Sequence, residues 1–522
     1  MFFELLAPPP LLVAAAFLLC VAAALRAYLN AQKHQARLPP GPPETSIFFG
    51  NVSNIPRSPE EWIQYQKLSQ TYGPVMHLRL LNRHLIVLNT MQAAIDLLEK
   101  RGANYSDRAR MPMLGELMGY DWTTVVMRYG DKWRLHRRTL HHHFHEAALT
   151  RIYPNLERTN ARFLKALVET PRDWWHLTHW LSGAIIMSVV YGMEDTKMKD
   201  DPWIQLGVDT LEMASEAFSS GFHIVDIFPM LKYVPSWFPG AAYKGRALRA
   251  REFTLRARDE PVAWEAGTAI PSITSALIDA EVDGVPLPDE VIKNCAGNAF
   301  IAGADTTLSV LRSFLLSMVR NPDAQRKVQE ELDRVLPADR LPELSDRSTF
   351  ALPYLEAAIR ETYRKHPPAP LGVPHQSIQE DEYEGMRIPA GSAVMVNSWS
   401  ILHDEEIYPD PACYRPERFL KDGKINEDVP DPRSAGVFGF GRRVCPGLYF
   451  ADSEIWLTAA TMIFSFDILP AQGADGRDVY PAEELVGASV ICSDETRRAP
   501  KQFECRIVPR SAAKKALILG NY

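Results

Sequence analysis

Cysteine is scarce. The 522 residues hold six, at Cys20, Cys295, Cys413, Cys445, Cys492 and Cys505, with no C-x-x-C pair among them. That spacing excludes a disulfide scaffold and the usual zinc and iron–sulfur frameworks, and it fits a reducing compartment. No period of the length used by solenoids or propellers recurs. Concentrated Lys and Arg are missing too: the formal net charge is −7, and no zinc-finger or RNA-binding motif occurs, so nucleic acid is not the expected partner. No flavin-binding or nicotinamide-binding motif is present. Charge is absent altogether from Leu5 to Leu25, about the length a helix needs to cross a bilayer core. What remains is ordinary globular material, 46% hydrophobic and 23% charged, and long enough to bury a sizeable cofactor.

The uncharged N-terminal run is best helical from Leu11 to Leu29, behind Pro8-Pro9-Pro10. Glu4 precedes it, and Arg26, Lys33, His34 and Arg37 follow it. The positive-inside rule then places the N-terminus in a lumen and the rest of the chain in the cytosol. A cleaved signal peptide is the rival, but its basic n-region is missing. Leu38-Pro39-Pro40-Gly41-Pro42-Pro43 reads as a stiff, extended spacer. The expected organisation is a single-pass membrane anchor over 1–30, a proline-rich hinge over 31–45, a catalytic domain over 46–510 and a tail over 511–522. In that topology the sequons at Asn51 and Asn104 face the cytosol and stay unmodified.

Within the domain, periodicity predicts helices at 60–72 and 91–100, paired strands at 75–80 and 84–88, and strands within 388–398. Residues 150–320 read as mostly helical, with breaks near 227–229, 234–240 and 284–286. The fold class is mainly α with small β-sheets. The His141-His142-His143-Phe144-His145 run has two readings, a helix surface and a metal site, and it lacks an acidic or cysteine co-ligand.

One stretch organises the rest: Phe438-Gly439-Phe440-Gly441-Arg442-Arg443-Val444-Cys445-Pro446-Gly447. Alone, Cys445 is either a buried structural thiol or a metal ligand. A ligand thiolate needs N–H donors, positive charge and a helix N-terminus nearby. Gly441 and Gly447 would let the backbone approach a flat cofactor, and Arg443 could reach an anionic edge. Upstream, Ala302-Gly303-Ala304-Asp305-Thr306 sets small residues and an acid–alcohol pair inside a long apolar helix. That pair either relays protons or merely bends the helix by back-bonding. Trp133 and Arg137 share a helix face, as do Glu361 and Arg364.

Phe438, Gly441, Arg443, Cys445 and Gly447 match the haem-binding signature of the cytochrome P450 superfamily. The strings at 302–306, 361–364 and 416–419 resemble its other motifs, in the same order. The resemblance implies the cytochrome P450 fold behind an N-terminal transmembrane helix, as in microsomal, fungal-type members. It implies haem b with Cys445 thiolate as axial metal ligand, Trp133, Arg137, His375 and Arg443 on the propionates, and Asp305 and Thr306 as catalytic proton relay. Arg418 of Pro416-Glu417-Arg418-Phe419 would join Glu361 and Arg364 in a structural trio. Phe300, Ala304, Leu371 and Val373 would face substrate. The segments 108–122 and 484–490 would border it, and 234–240 would form an entrance that dips into the bilayer. Fungal relatives often carry Arg directly after this histidine; here it is Gln376.

The implied activity is monooxygenation of a lipophilic small molecule with O2, in fungal secondary metabolism such as terpenoid biosynthesis. Electrons would come from NADPH through cytochrome P450 reductase, with cytochrome b5 as a second donor, at the endoplasmic reticulum membrane. The alternatives are a haem-thiolate isomerase or dehydratase that does not use O2, and a non-catalytic haem-binding protein.

Overall fold

A computed structural model describes residues 37–56, 60–219, 223–268, 271–282, 284–347, 351–486 and 499–520. The expected anchor over 1–30, Cys20, Cys492 and the end of the 484–490 segment lie outside the described residues. The proline strap lies on the first strand: the Pro40 carbonyl accepts from the His77 N–H at 2.9 Å. Contact there is so close that a Cβ on Gly41 would lie 1.9 Å from the His77 oxygen. Helix α1 (Glu61–Tyr72) leads into β1 (Val75–Leu80) and β2 (Arg83–Leu88), which pair antiparallel. Two later strands, β3 (His375–Gln376) and β4 (Ala393–Val396), complete a four-stranded sheet in the order β1-β2-β4-β3. Side chains alternate between its faces. Val75, Ile86, Leu88, Val394 and Val396 pack on Leu97 and Leu98, while Met76, Leu78, Val87 and Met395 pack on Trp62 and Tyr65.

The main core is helical. It comprises α2 (Asp131–Phe144), α3 (Tyr153–Glu169), α4 (Trp174–Tyr191), α5 (Pro202–Ser219), the short α6 (Ile224–Ile227), α7 (Ala242–Thr268) and the long α8 (Asp289–Arg320). After these come α9 (Pro322–Val335), α10 (Pro353–Lys365), α11 (Leu448–Ser465), the antiparallel pair β5 (Phe466–Gln472) and β6 (Cys505–Pro509), and α12 (Ala512–Gly520). Glycine decides how closely α8 is gripped. A Cβ on Gly303 would meet Ile186 of α4 at 2.6 Å, and one on Gly183 would meet Ile204 of α5 at 2.7 Å. Gly303 therefore lets α8 pack closely on α4. The tail is no loose end either: α12 buries Ile518 and sets Lys514 over the Phe464 ring. Among the described residues no group of three His, Cys, Asp or Glu side chains is placed to share a metal ion; in the histidine run, His143 is buried and His145 caps the next turn.

Two buried charge networks hold the irregular chain between α10 and α11. In the first, Arg364 donates to both oxygens of Glu361, at 2.8 and 2.9 Å, and Arg418 approaches the same carboxylate at 3.0 Å. The remaining guanidinium donors go to main-chain carbonyls: Arg364 to Leu402 and Pro411, Arg418 to Pro409, Asp410 and Cys413. In the second, Arg433 bridges Glu356, Asp431 and Asp452, and Arg347 joins Glu356 and Asp452. This ties the chain before the Cys445 loop to α10 and to the helix after it. Removing one partner of such a network leaves uncompensated buried charge. Glu361→Gln is therefore expected to lower unfolding free energy by about 3–5 kcal/mol, read as a shift in the urea midpoint; an unshifted midpoint would show that the network does not hold the fold.

Candidate active site

The Cys445 loop is shaped by backbone that only glycine adopts cheaply. Gly436 has φ +120°, and Gly441 has φ +59° with a Cβ position 2.1 Å from the Leu98 carbonyl. Gly441 thus presses the loop onto the chain before it. A short turn over Gly441–Arg443 follows, and the Cys445 N–H closes the loop on the Phe438 carbonyl at 2.8 Å. Gly447 then caps α11, and a Cβ there would lie 3.9 Å from the Cys445 sulfur. Cys445 is exposed in this structure, yet enough protein surrounds the thiol to desolvate it. Burial pushes its thiol pKa up, while the Gly447 N–H and the Arg137 charge pull it down. Cys295 and Cys505, buried without such help, are pushed up to about 12. Among the described residues, Cys445 is the cysteine shown to combine access with groups that favour thiolate.

Around it gather cations. Arg137 Nη1 donates to the Val444 carbonyl at 2.5 Å. Arg443 lies 4.4 Å above the Trp133 ring and donates at 2.8 Å to the carbonyls of Ser106, Thr124 and Met127. His375 Nδ1 donates to the Tyr105 carbonyl at 2.7 Å; burial, then the charge of Arg108, holds its pKa well below the usual range, so the ring is neutral. Arg108 is the residue that sequence reasoning missed. It donates to the carbonyls of Val373 and Pro374 at 2.5 and 2.7 Å, and burial with the Arg443 charge lowers its pKa to about 9. Burial brings Arg443 down to about 10 against the pull of Asp107.

The acid among them, Asp107, is already taken by Arg128 and by the N–H groups of Arg108 and Tyr129. Enclosed positive charge is left over. A flat group bearing two carboxylates, with a metal that binds sulfur, fits this donor set: haem with its propionates on the cations and Cys445 on the iron.

On α8 the residues Ala299, Ala302, Gly303 and Thr306 form an open stripe at i, i+3, i+4 and i+7, in a stretch where Phe300, Ile301, Ala304 and Thr307 are buried. Thr306 Oγ1 donates to the Ala302 carbonyl at 2.9 Å, and Asp305 beside it is half-buried. Just before the stripe, Asn298 Oδ1 accepts from the Thr124 N–H at 3.0 Å, and the Thr124 carbonyl is one of those that hold Arg443. The stripe and the cysteine loop are thus joined through one residue.

Three expected substrate contacts need correction. Phe300 and Ala304 face away from the stripe and pack where a Cβ on Gly207 of α5 would lie 2.9 and 3.5 Å from them. Phe300 also makes an edge contact with Tyr191. Leu371 is buried in the small-sheet core with Trp62 and Met395. A helix turns by 100° per residue, so adjacency to the Asp305-Thr306 pair did not fix the face. Val373 stays half-buried beside Arg108.

The neutral, buried imidazoles make the protein acid-sensitive. His375 lies well below the ordinary range, and His77 and His143 are pushed down to about 4. Below their ordinary pKa the unfolded chain binds protons that the folded one refuses. Stability therefore falls as pH drops from about 6.5 toward 4, by up to about 1.4 kcal/mol per pH unit for each group. Urea unfolding at pH 7 and pH 5 should show His77→Asn flattening that slope by one group; an unchanged slope would mean that His77 is charged in the fold.

Comparison with known proteins agrees with this geometry. The Cytochrome P450 family model matches residues 39–490. Cytochrome P450 monooxygenase ple1 of Rhodocybe pseudopiperita is 40% identical over 507 residues, covering 95% of this chain and 94% of the relative. Cytochrome P450 monooxygenase COX1 of Coprinopsis cinerea is 35% identical over 503 residues, with coverages of 92% and 93%. Tryptamine 4-monooxygenase of Psilocybe cyanescens is 36% identical over 504 residues, with coverages of 94% and 97%. An enclosed thiol under an excess of cations is what a thiolate-ligated haem requires, and with such relatives along nearly its full length the chain belongs to the cytochrome P450 family, as a cytochrome P450 monooxygenase.

Proposed function

We propose that the protein inserts one oxygen atom of O2 into a neutral, lipophilic small molecule of fungal secondary metabolism, a terpenoid for example. Electrons would come from NADPH through a separate membrane-bound reductase, since the sequence carries no flavin or nicotinamide motif of its own. The observation that carries the substrate class is the α8 stripe, where Ala299, Ala302 and Gly303 present only small apolar groups beside Thr306.

When bound, haem supplies oxygen activation and C–H oxidation. The chain's own residues do the rest. Cys445 would ligate the iron, with Phe438, Gly441 and Gly447 shaping its loop. Arg137, Arg443 and Arg108 would neutralise the propionates, and Trp133 and the neutral His375 would help orient them. The Thr306 hydroxyl spends its hydrogen on the Ala302 carbonyl and keeps its lone pairs for an incoming donor. Asp305 would take protons from the solvent side and hand them to Thr306. Ala299, Ala302 and Val373 would exclude water from the bond under attack, and the burial of apolar substrate there stabilises the complex by about 25 cal/mol per Å2.

A membrane location suits the surface. Ile47 and Phe48 are 86% and 81% exposed, and Met230, Tyr233 and Trp237 are 78%, 72% and 79% exposed. The β1–β2 turn connects the two groups: the Leu81 N–H bonds the Phe49 carbonyl and Arg83 bonds the Asp226 carbonyl. Exposed aromatic patches of this kind suit a lipid surface. With an anchor over 1–30, the domain would sit on the cytosolic face of the endoplasmic reticulum, where reductase and cytochrome b5 are at hand.

The test is a binding-shift and turnover screen on purified protein with reductase. Neutral terpenoids should shift the Soret band and give NADPH-dependent oxygen consumption with a hydroxylated product. Thr306→Ala should divert most of that NADPH into peroxide while binding is kept. A strongly cationic preferred substrate, or undiminished product with reductase omitted, would overturn the proposal.

A further inference from the structure

The segment from Met111 to Arg128 bonds both α8 and Arg443 of the Cys445 loop, so it borders the cleft in which the proposed function puts haem and substrate, and its two ends are held differently. At the far end Trp122 packs on α8, where a Cβ on Gly297 would lie 2.9 Å from its ring, and Thr124 bonds Asn298 and Arg443. The near end, Pro112–Leu117, rests on α5, α6 and α7 through a separate apolar cluster that includes Met113, Leu114, Met118, Ala214, Val225 and Ala247. Methionine-rich packing of this kind is adaptable and specifies position poorly. Position must come from polar contacts.

One of these contacts is buried and charged. Met113 N–H belongs to the first turn of its segment, where no acceptor lies within the turn itself. It donates to Asp226 Oδ1 of α6 at 2.8 Å. Asp226 is 9% exposed, and its own carbonyl accepts from Arg83 at 2.5 Å, which fixes α6 to the β1–β2 turn. The other ties are of a different kind. Glu116 makes ion pairs with exposed Arg110 and half-buried Lys232, at 2.6 and 2.5 Å, which solvent reaches and which hold less than a fully buried bond. Arg251 bonds the Glu116 carbonyl at 3.0 Å, and Tyr120 bonds the Thr210 carbonyl. On either side of Asp226, Ile224 and Phe228 are 57% and 56% exposed, within the apolar surface described above.

We propose that Asp226 is a positioning residue that sets how far Pro112–Leu117 closes over the cleft, and so which substrates are admitted and how slowly they leave. The inference rests on the cleft being the substrate site. Its structural part, the latch itself, can be measured without turnover.

Hydrogen exchange on the haem-loaded full chain in lipid nanodiscs reads the latch directly. In the parent protein the Met113 amide should exchange about tenfold or more slowly than a free turn amide, as expected for a buried bond to a carboxylate. Asp226→Ala should raise exchange across Pro112–Leu117 by about tenfold or more, whereas Asp226→Asn, which keeps a carbonyl acceptor, and Glu116→Gln should stay within about threefold of the parent. Free exchange at Met113 in the parent overturns the proposal without any variant having to fold. So does an Ala variant that matches the parent, an Asn variant as fast as Ala, or a Glu116 variant as fast as Ala. The link to admission is read with 4-phenylimidazole, whose dissociation should quicken about threefold or more in Asp226→Ala; an unchanged rate beside raised exchange overturns that link. A parent protein that binds neither this azole nor carbon monoxide would instead count against the monooxygenase reading, and the exchange result would still decide the latch.

Discussion

Buried guanidinium groups bonded to main-chain carbonyls are what the site depends on. The chain around Cys445 is irregular backbone, and irregular backbone leaves carbonyls without partners from regular structure. Arginine meets that need because its planar fork carries five donors and stays charged when enclosed. Arg443 gathers three carbonyls of the 106–127 segment, Arg137 takes the carbonyl next to the cysteine, and Arg108 takes two from the chain before His375. Arg364 and Arg418 do the same for 402–413 around the Glu361 carboxylate. Each such group costs desolvation and is repaid by several charge-assisted bonds at once.

Rigidity and reactivity then arise from the same residues. Arg137 and Arg443 brace the loop, and they also supply the positive field that favours a thiolate and attracts carboxylates. Trp133 supports Arg443 from below. Linked to this polar, over-determined side through Thr124, α8 offers a smooth stripe with a single hydroxyl, and its approach to α4 is fixed by Gly303 and Ile186. One side of the cleft is built to hold a cofactor in one pose. The other, in the proposed function, would accept apolar matter of varied shape.

Much of this could be read from the chain. The glycine-bracketed cysteine, the Ala302–Thr306 string and the Glu361/Arg364 spacing are local patterns, and the last two sit on helices, as expected. Faces were harder. Phe300 and Ala304 adjoin the motif in sequence but point at Gly207, because only residues three or four apart share a helix face. Leu371 went to the small-sheet core because the sheet is apolar on both sides. Arg108 stood in an irregular stretch with no motif to mark it, and its shortest bonds reach some 265 residues away. The Arg433 network escaped for the same reason, since it joins Glu356 to Asp452 across two helices and a loop. Asp107-Arg108 beside an apolar, methionine-rich run was the available signal, a charged pair where a surface loop would not need one.

The central claim is that Cys445 sulfur, held in an arginine-braced loop, binds haem iron as a thiolate. The most direct measurement is the carbon monoxide difference spectrum of the reduced, haem-loaded protein beside its Cys445→Ser variant. The parent should show the long-wavelength Soret band of a thiolate-ligated ferrous carbonyl, and the variant should lose it while still folding. A parent protein without that band, or a serine variant that keeps it, would contradict the account.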